Sequence, residues 1–277
     1  MERIENIAVI GLGTMGLGIG CVAAQGDYKV LFIARAQRGI EIASAKLSKM
    51  MEGGIQYTQN LKFSLDLNSI QPCQLIIEAI PEQAEMKKQL LNKVSLISPR
   101  AIIASTTSSI PITELSIAVE FPERFIGLHF FNPVQKSKIV EVIKGNRTSA
   151  ETFEIAINFV KSLNKFPVAV KDAPGFASSR MIVVYINEAI KVLEEGIASK
   201  EDIDRIAKLA FGHPVGPLKL ADFIGLDVVL DTLNSIYART QQERYRPSKL
   251  LEKMVRDGKL GMKREMGFYE YGKREGI

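Results

Sequence analysis

"NIAVIGLGTMGLGIG", residues 6–20, decides how the rest of the chain is read. It opens on an apolar run, Ile7–Ile10, with the character of a buried strand. Glycines follow at positions 11, 13 and 16 in Gly-x-Gly-x-x-Gly spacing, and a helix-like run extends from Thr14 to about Gln25. The first glycine permits a tight turn, the second lets the backbone approach a pyrophosphate, and the third lets helix and strand pack closely. The helix start at Thr14 and Met15 presents unpaired N–H groups and a positive dipole end to phosphates. Gly11, Gly13, Thr14, Met15 and Gly16 are therefore the expected cofactor cradle. The spacing alone is weak evidence; its place between a strand and a helix strengthens it. The competing reading is a glycine-rich turn with no ligand.

The uncharged run from Ile7 to Ala24 is also long enough for a membrane span or the apolar part of a signal sequence. Glycines recurring through it would weaken a spanning helix. The nucleotide-binding reading accounts for those glycines, and no membrane association is expected.

Outward from this motif, strands and helices alternate. Residues 29–34, 74–80, 101–106, 124–130, 138–143 and 166–171 read as strands. Residues 38–53, 83–97 and 149–163 read as amphipathic helices. The alternation implies an α/β fold, a doubly wound Rossmann-type sheet with ligand at the carboxyl ends of its strands. Past "VAVKDAPGF" the strand-like runs stop. "SSRMIVVYINEAIKVLEEGIA" carries Ile182, Tyr185, Ile186, Ala189 and Leu193 at helical spacing. "SKEDIDRIAKLAFG" opens on a capping box, Ser199-x-x-Asp202, and closes on Gly212. Two domains are expected: residues 1–172, dinucleotide-binding, and residues 173–277, all helical.

The 277 residues are 46% hydrophobic, enough for a sizeable core. The net charge of +5 favours anionic partners. Its 36 basic and 31 acidic residues are interspersed, without a basic stripe carrying aromatics, so nucleic acid is not an expected partner. Cys21 and Cys73 stand in unlike contexts and suggest neither a disulfide framework nor a metal site, which fits the cytoplasm.

A ribose-binding acid is expected near the end of the second strand. No Asp or Glu lies between Asp27 and Glu41; Ala34 holds the position and Arg35 follows. Arg35 suits a 2′-phosphate, which would mean NADP. The alternative is a solvated loop arginine on an NAD protein. The cofactor is therefore read as NAD or NADP.

The chain has two histidines. His129 sits in the apolar run "IGLHFFNP" and Glu141 in the apolar run "KIVEVI". A hydroxyl that loses hydride to a nicotinamide must also lose a proton, and histidine titrates in the right range to take it. A carboxylate fixes the ring tautomer and stabilises the imidazolium. If the two strands are neighbours, each residue satisfies the other's need for a buried partner. Pro133, after Asn132, would turn the chain just past the histidine.

These blocks resemble the 3-hydroxyacyl-CoA dehydrogenase family, especially its short single-function 3-hydroxybutyryl-CoA type, through most of the chain. "GLHFFNP…VEVI" is similar to the family signature, which implies His129 as catalytic base, Glu141 as its partner and Asn132 in the substrate site. "IIEAIPEQAEMKKQL" implies Glu82 and Lys87 near the cofactor and substrate, and "ASTTSSIPITEL" implies Ser108 as a substrate contact. "KDAPGF…R" resembles the start of the family's helical domain, and "DIDRIAKLAFGHPVGPLKLADFIGLD" and "YRPSKLLEKMVRDGKLG" resemble its C-terminal domain. The resemblance implies an acyl-CoA substrate and a homodimer formed through that domain. His213 and Asp222 are read as structural.

Four departures stand out. Ala34-Arg35 replaces the acid. Thr106 replaces an Asn before Thr-Ser-Ser. Ser179, at the substrate site, replaces a longer Asn. "KREMGFY" replaces a Lys-Thr-Gly ending. They leave two rivals to the acyl-CoA reading: a dehydrogenase of a free hydroxy acid, or a non-catalytic nucleotide-binding dimer.

Overall fold

The computed structural model describes residues 4–50 and 59–272, in two compact units that divide between Ala173 and Pro174. The first unit is built on an eight-stranded sheet. Its strands are β1 (Asn6–Ile10), β2 (Lys29–Ile33), β3 (Leu61–Ser64), β4 (Leu75–Glu78), β5 (Ile102–Ser105), β6 (Phe125–Phe130), β7 (Ile139–Lys144) and β8 (Phe166–Lys171), in the order β3-β2-β1-β4-β5-β6-β7-β8. β1, β4 and β5 are apolar except for one end residue each, Asn6, Glu78 and Ser105, because parallel strands in the middle of such a sheet are covered on both faces. The order reverses between β1 and β4, which opens a crevice at their carboxyl ends. β6 continues the parallel set, whereas β7 runs antiparallel to it.

Five helices belong to this unit: α1 (Thr14–Gln25), α2 (Gln37–Met50), α3 (Ala84–Ile97), α4 (Ile112–Leu115) and α5 (Ala150–Ser162). α1 lies so close to the sheet that a Cβ on Gly20 would stand 2.1 Å from the Phe32 ring. Ile7, Val9, Leu17, Ile19, Phe32, Ile77, Leu128, Val142 and Phe159 share one core. Each side chain of this size is worth about 1.5–3 kcal/mol when fully buried.

The helical run expected over 38–53 is observed as far as Met50; its last three positions lie outside the described residues. β3 was not expected. It is four residues long, sits at the sheet edge and is only partly buried, so it lacks the apolar pattern that marks the inner strands.

The second unit holds α6 (Ser178–Glu194), α7 (Lys200–Leu209), α8 (Pro217–Ile224), α9 (Leu226–Thr240) and α10 (Lys249–Arg256) around Val183, Ile186, Leu218, Leu233, Ile236 and Leu251. Ser199 caps α7 by accepting the Asp202 N–H. Gly225, at φ +104°, parts α8 from α9. Asp222 is the internal acceptor expected of it, taking the N–H groups of Phe268 and Tyr269 at 2.9 Å each and the Tyr271 hydroxyl at 3.0 Å. A Cβ on Gly267 would meet Asp222 Oδ1 at 1.9 Å, so the altered ending keeps its glycine where the carboxylate needs room. His213 is exposed, and its Nδ1 lies 2.9 Å from the Tyr185 hydroxyl. Among the described residues no helix is long and apolar enough to cross a membrane, and no cluster of His, Cys, Asp or Glu is arranged to hold a metal.

Candidate active site

β1 ends at Ile10 and the chain turns at Gly11, whose φ of +115° is a conformation that suits glycine. A side chain there would also strike the Ala79 carbonyl at 2.4 Å. Gly16 lets α1 pass over the turn, since its Cβ would stand 2.0 Å from the Gly11 carbonyl oxygen. Gly13 differs from both, because nothing lies within 4 Å of the position its Cβ would take. The space above Gly13 is open at the start of α1, where Gly13 is the cap and no acid occupies the first turn. Thr14 and Met15 supply the first helical N–H groups. The turn is tight where the backbone must fold back and open where an anion could lie, a shape able to accept a pyrophosphate.

His129 stands near the carboxyl end of β6, and its direct register partner on β7 is Glu141. Nδ1 lies 2.7 Å from Glu141 Oε2, with the two residues 8% and 2% exposed. A carboxylate at Nδ1 assigns the ring proton to that nitrogen and turns the lone pair of a neutral imidazole to Nε2. The Phe131 ring packs 4.8 Å from the imidazole, centre to centre. Asn132 follows, exposed, and its peptide bond to Pro133 is cis. Two anchors hold the loop beyond it. Val134 packs against Gly18 of α1, and the buried Lys165 ammonium donates to the carbonyls of Val134 and Ser137. Burial lowers the Lys165 pKa.

The carboxyl ends of β4 and β5 carry a second polar cluster. Glu78 closes β4, 1% exposed, and accepts from Lys87 Nζ at 2.7 Å, from the Ser105 hydroxyl at 2.5 Å and from the Ile80 N–H at 2.8 Å. Lys87, on α3 and equally buried, also donates to the Ile80 carbonyl and stands 3.4 Å from Glu82 Oε2. Glu82 in turn gathers the loop after β5. Its Oε1 accepts from the Thr107 hydroxyl at 2.7 Å, from the N–H groups of Ser108 and Ser109 at 2.9 Å each, and from the Ser109 hydroxyl at 3.0 Å. Burial works against ionisation of Glu82 and is the largest single influence on it. The Lys87 ammonium and the hydrogen bonds from Thr107, Ser109 and Ser108 together outweigh it and hold the carboxyl below its ordinary range.

The β5 loop is tied down at its far end as well. Asp172 accepts the N–H groups of Ile112 at 2.9 Å and Thr113 at 2.7 Å, capping the single turn of α4 from sixty residues away. Ser108 is thus held on both sides of its loop and remains half exposed.

The glycine turn, the His129–Glu141 pair, Asn132, Glu82, Lys87 and Ser108 therefore all lie along the carboxyl edge of one sheet. Arg35 is exposed just past the end of β2. Ser179 belongs to the second unit, buried in the first turn of α6. The sequence reading missed Glu78, Ser105 and Thr107, and with them the network that links Lys87 to the serine loop. One signal was there to find it: Glu78 interrupts the apolar run "LIIEAI" just as Glu141 interrupts "KIVEVI".

The chain is matched by known proteins over nearly its whole length. Residues 6–173 match the model of the 3-hydroxyacyl-CoA dehydrogenase NAD binding domain, and residues 175–271 that of the 3-hydroxyacyl-CoA dehydrogenase C-terminal domain. A probable 3-hydroxybutyryl-CoA dehydrogenase of Deinococcus radiodurans is 42% identical, over 96% of this chain and 100% of its own. The crystal structure of FadB2 from M. tuberculosis superposes with a TM-score of 0.95 at 32% identity, over 98% of this chain and 100% of that one. That of (S)-3-hydroxybutyryl-CoA dehydrogenase PaaH1 from Ralstonia eutropha superposes at 0.91 with 36% identity and the same coverage. A cradle for a dinucleotide and a paired histidine on one sheet edge, with both family domains matched in order along the chain, make this protein a member of the 3-hydroxyacyl-CoA dehydrogenase family.

Proposed function

We propose that the protein interconverts a short-chain (3S)-3-hydroxyacyl-CoA and its 3-oxoacyl-CoA, with 3-hydroxybutyryl-CoA and acetoacetyl-CoA as the working pair. The observation that carries this reading is the 2.7 Å contact between His129 Nδ1 and Glu141 at the edge where a dinucleotide would lie. In the oxidative direction His129 Nε2 takes the proton of the 3-hydroxyl. Glu141 holds the ring in the tautomer that makes this possible and stabilises the imidazolium that results. The pair's burial keeps water from competing for either group. Ser108 and Asn132 contact the substrate. Gly11, Gly13, Thr14, Met15 and Gly16 hold the pyrophosphate, and Glu82 borders the nicotinamide side, with the Lys87 ammonium holding its carboxylate in place. When bound, the nicotinamide accepts or returns the hydride. The cofactor is NAD or NADP, and the choice lies at the end of β2.

The protein acts as a homodimer through its second unit, a reading supported by the large apolar side chains of Met181, Ile197, Leu209 and Phe211, each more than 60% exposed there. Cytoplasmic location is supported by two buried, unpaired cysteines, whose thiols burial pushes up to about 11.

Purified protein mixed with acetoacetyl-CoA and reduced cofactor tests the reaction. Oxidation of NADH or NADPH supports it, and its absence with both counts against it. The departures at Thr106 and Ser179 favour one second reading, a free hydroxy acid as substrate. Inhibition by millimolar free CoA would exclude that rival, and no inhibition would favour it.

A further inference from the structure

We propose that Arg35, with Arg38 beside it, forms a 2′-phosphate site and that the protein takes NADP(H) in preference to NAD(H). The inference rests on the dinucleotide reading above and deepens it. Ile33, the last residue of β2, offers its carbonyl to the Gly11 N–H at 3.5 Å, so the chain just past it runs beside the glycine turn. Ala34 is buried and its N–H goes to the Ser64 carbonyl at 2.9 Å, which leaves Arg35 as the first exposed side chain. The Gly39 N–H donates to the Ala36 carbonyl at 2.9 Å in the tight turn that leads into α2, so Arg35 before the helix and Arg38 in its first turn are three residues apart. The start of α2 lies near the glycine turn, since a Cβ on Gly39 would stand 4.0 Å from Leu12 Cδ1.

Charge points the same way. No acid lies between Asp27 and Glu41, and none lies in the first turn of α2. Nothing there offers a carboxylate to ribose hydroxyls, and nothing there repels a phosphate. Arg35 and Arg38 are both exposed, and among the described residues neither guanidinium makes a hydrogen bond or an ion pair. A phosphate monoester carries about 1.5–2 negative charges at neutral pH, and guanidinium groups bind it through paired N–H donors. Two arginines with no internal partner surrender nothing to do so.

The test is calorimetric titration of the purified full chain with adenosine 2′,5′-bisphosphate and, separately, with 5′-AMP. The bisphosphate is expected to bind at least about tenfold more tightly, and Arg35→Ala to abolish that difference while leaving 5′-AMP binding in place. Equal affinities in the unaltered protein would overturn the proposal, as would no binding of either, or an advantage that survives Arg35→Ala. Binding of NADPH against NADH, followed by cofactor fluorescence in a chain with no tryptophan, should show the same preference and its loss in the variant. The two readings fail separately. A 2′-phosphate advantage without turnover of acetoacetyl-CoA would sink the reaction and keep this site. Reduction of acetoacetyl-CoA by NADH with no such advantage would sink this site and keep the reaction.

Discussion

The Glu141 carboxylate lies 2.7 Å from His129 Nδ1 because the two residues are direct partners in the antiparallel β6–β7 register. Neighbouring backbones set the distance, so little side-chain freedom is lost in forming the pair. Replacing Glu141 by Gln keeps the shape and removes the charge, and its amide N–H favours the opposite tautomer. Turnover of acetoacetyl-CoA should fall by about 10²–10⁴ in Glu141→Gln and by a similar or larger factor in His129→Gln. Circular-dichroism melts should show both variants folded. A folded Glu141→Gln that keeps half its turnover would remove Glu141 from the mechanism.

Gly13 and Gly16 should behave differently when given the same methyl group. Gly13 has φ −74° and open space around it, so Gly13→Ala should fold as before. Its methyl would stand where the pyrophosphate approaches, so nucleotide affinity should drop about tenfold or more. Gly16→Ala forces its Cβ to within 2.0 Å of a backbone carbonyl and should lower the melting temperature even without nucleotide. Equal melting losses in the two variants would argue that Gly13 serves packing alone.

Lys87 lies between the carboxylates of Glu78 and Glu82, 2.7 Å from one and 3.4 Å from the other. Removing it leaves Glu78 buried without a counter-charge. Lys87→Met should cost about 3–5 kcal/mol in urea unfolding. Lys88→Met, next to it but partly exposed, should cost only about 0–1 kcal/mol. A small loss in Lys87→Met would show that the cluster adjusts by protonation.

Glu82 makes stability depend on acid. Its folded pKa lies below the ordinary 4.5, so the folded state binds its proton less readily than the unfolded chain. The stabilisation is complete above that ordinary value and is lost as the pH falls through the depressed folded value. Melting temperatures measured from about pH 6 down to about pH 3 should therefore fall less steeply in Glu82→Gln than in the unaltered protein. Parallel curves would show that Glu82 titrates as it does in the unfolded chain.

Much of this was legible in one dimension. The strand, glycine turn and helix of residues 6–25 are consecutive, and each glycine's role follows from local geometry. β3 was hidden, since a four-residue edge strand with one buried neighbour need not be apolar. So was the division at Gly225, where a positive φ interrupts an otherwise continuous helical pattern.

What the sequence determined by itself was the strand, glycine turn and helix of residues 6–25, the sheet's other strands apart from β3, and the two residues needing a buried partner, because apolar periodicity and glycine spacing are properties of adjacent positions. What only the tertiary structure decided was which distant groups meet. Asp172 caps α4 across sixty residues, Lys165 clamps the loop after Pro133, and Lys87 joins Glu78 to Glu82 beneath the serine loop. A buried charge must find a partner somewhere, but the chain's order does not say where; the packing of strands and helices brings one within reach.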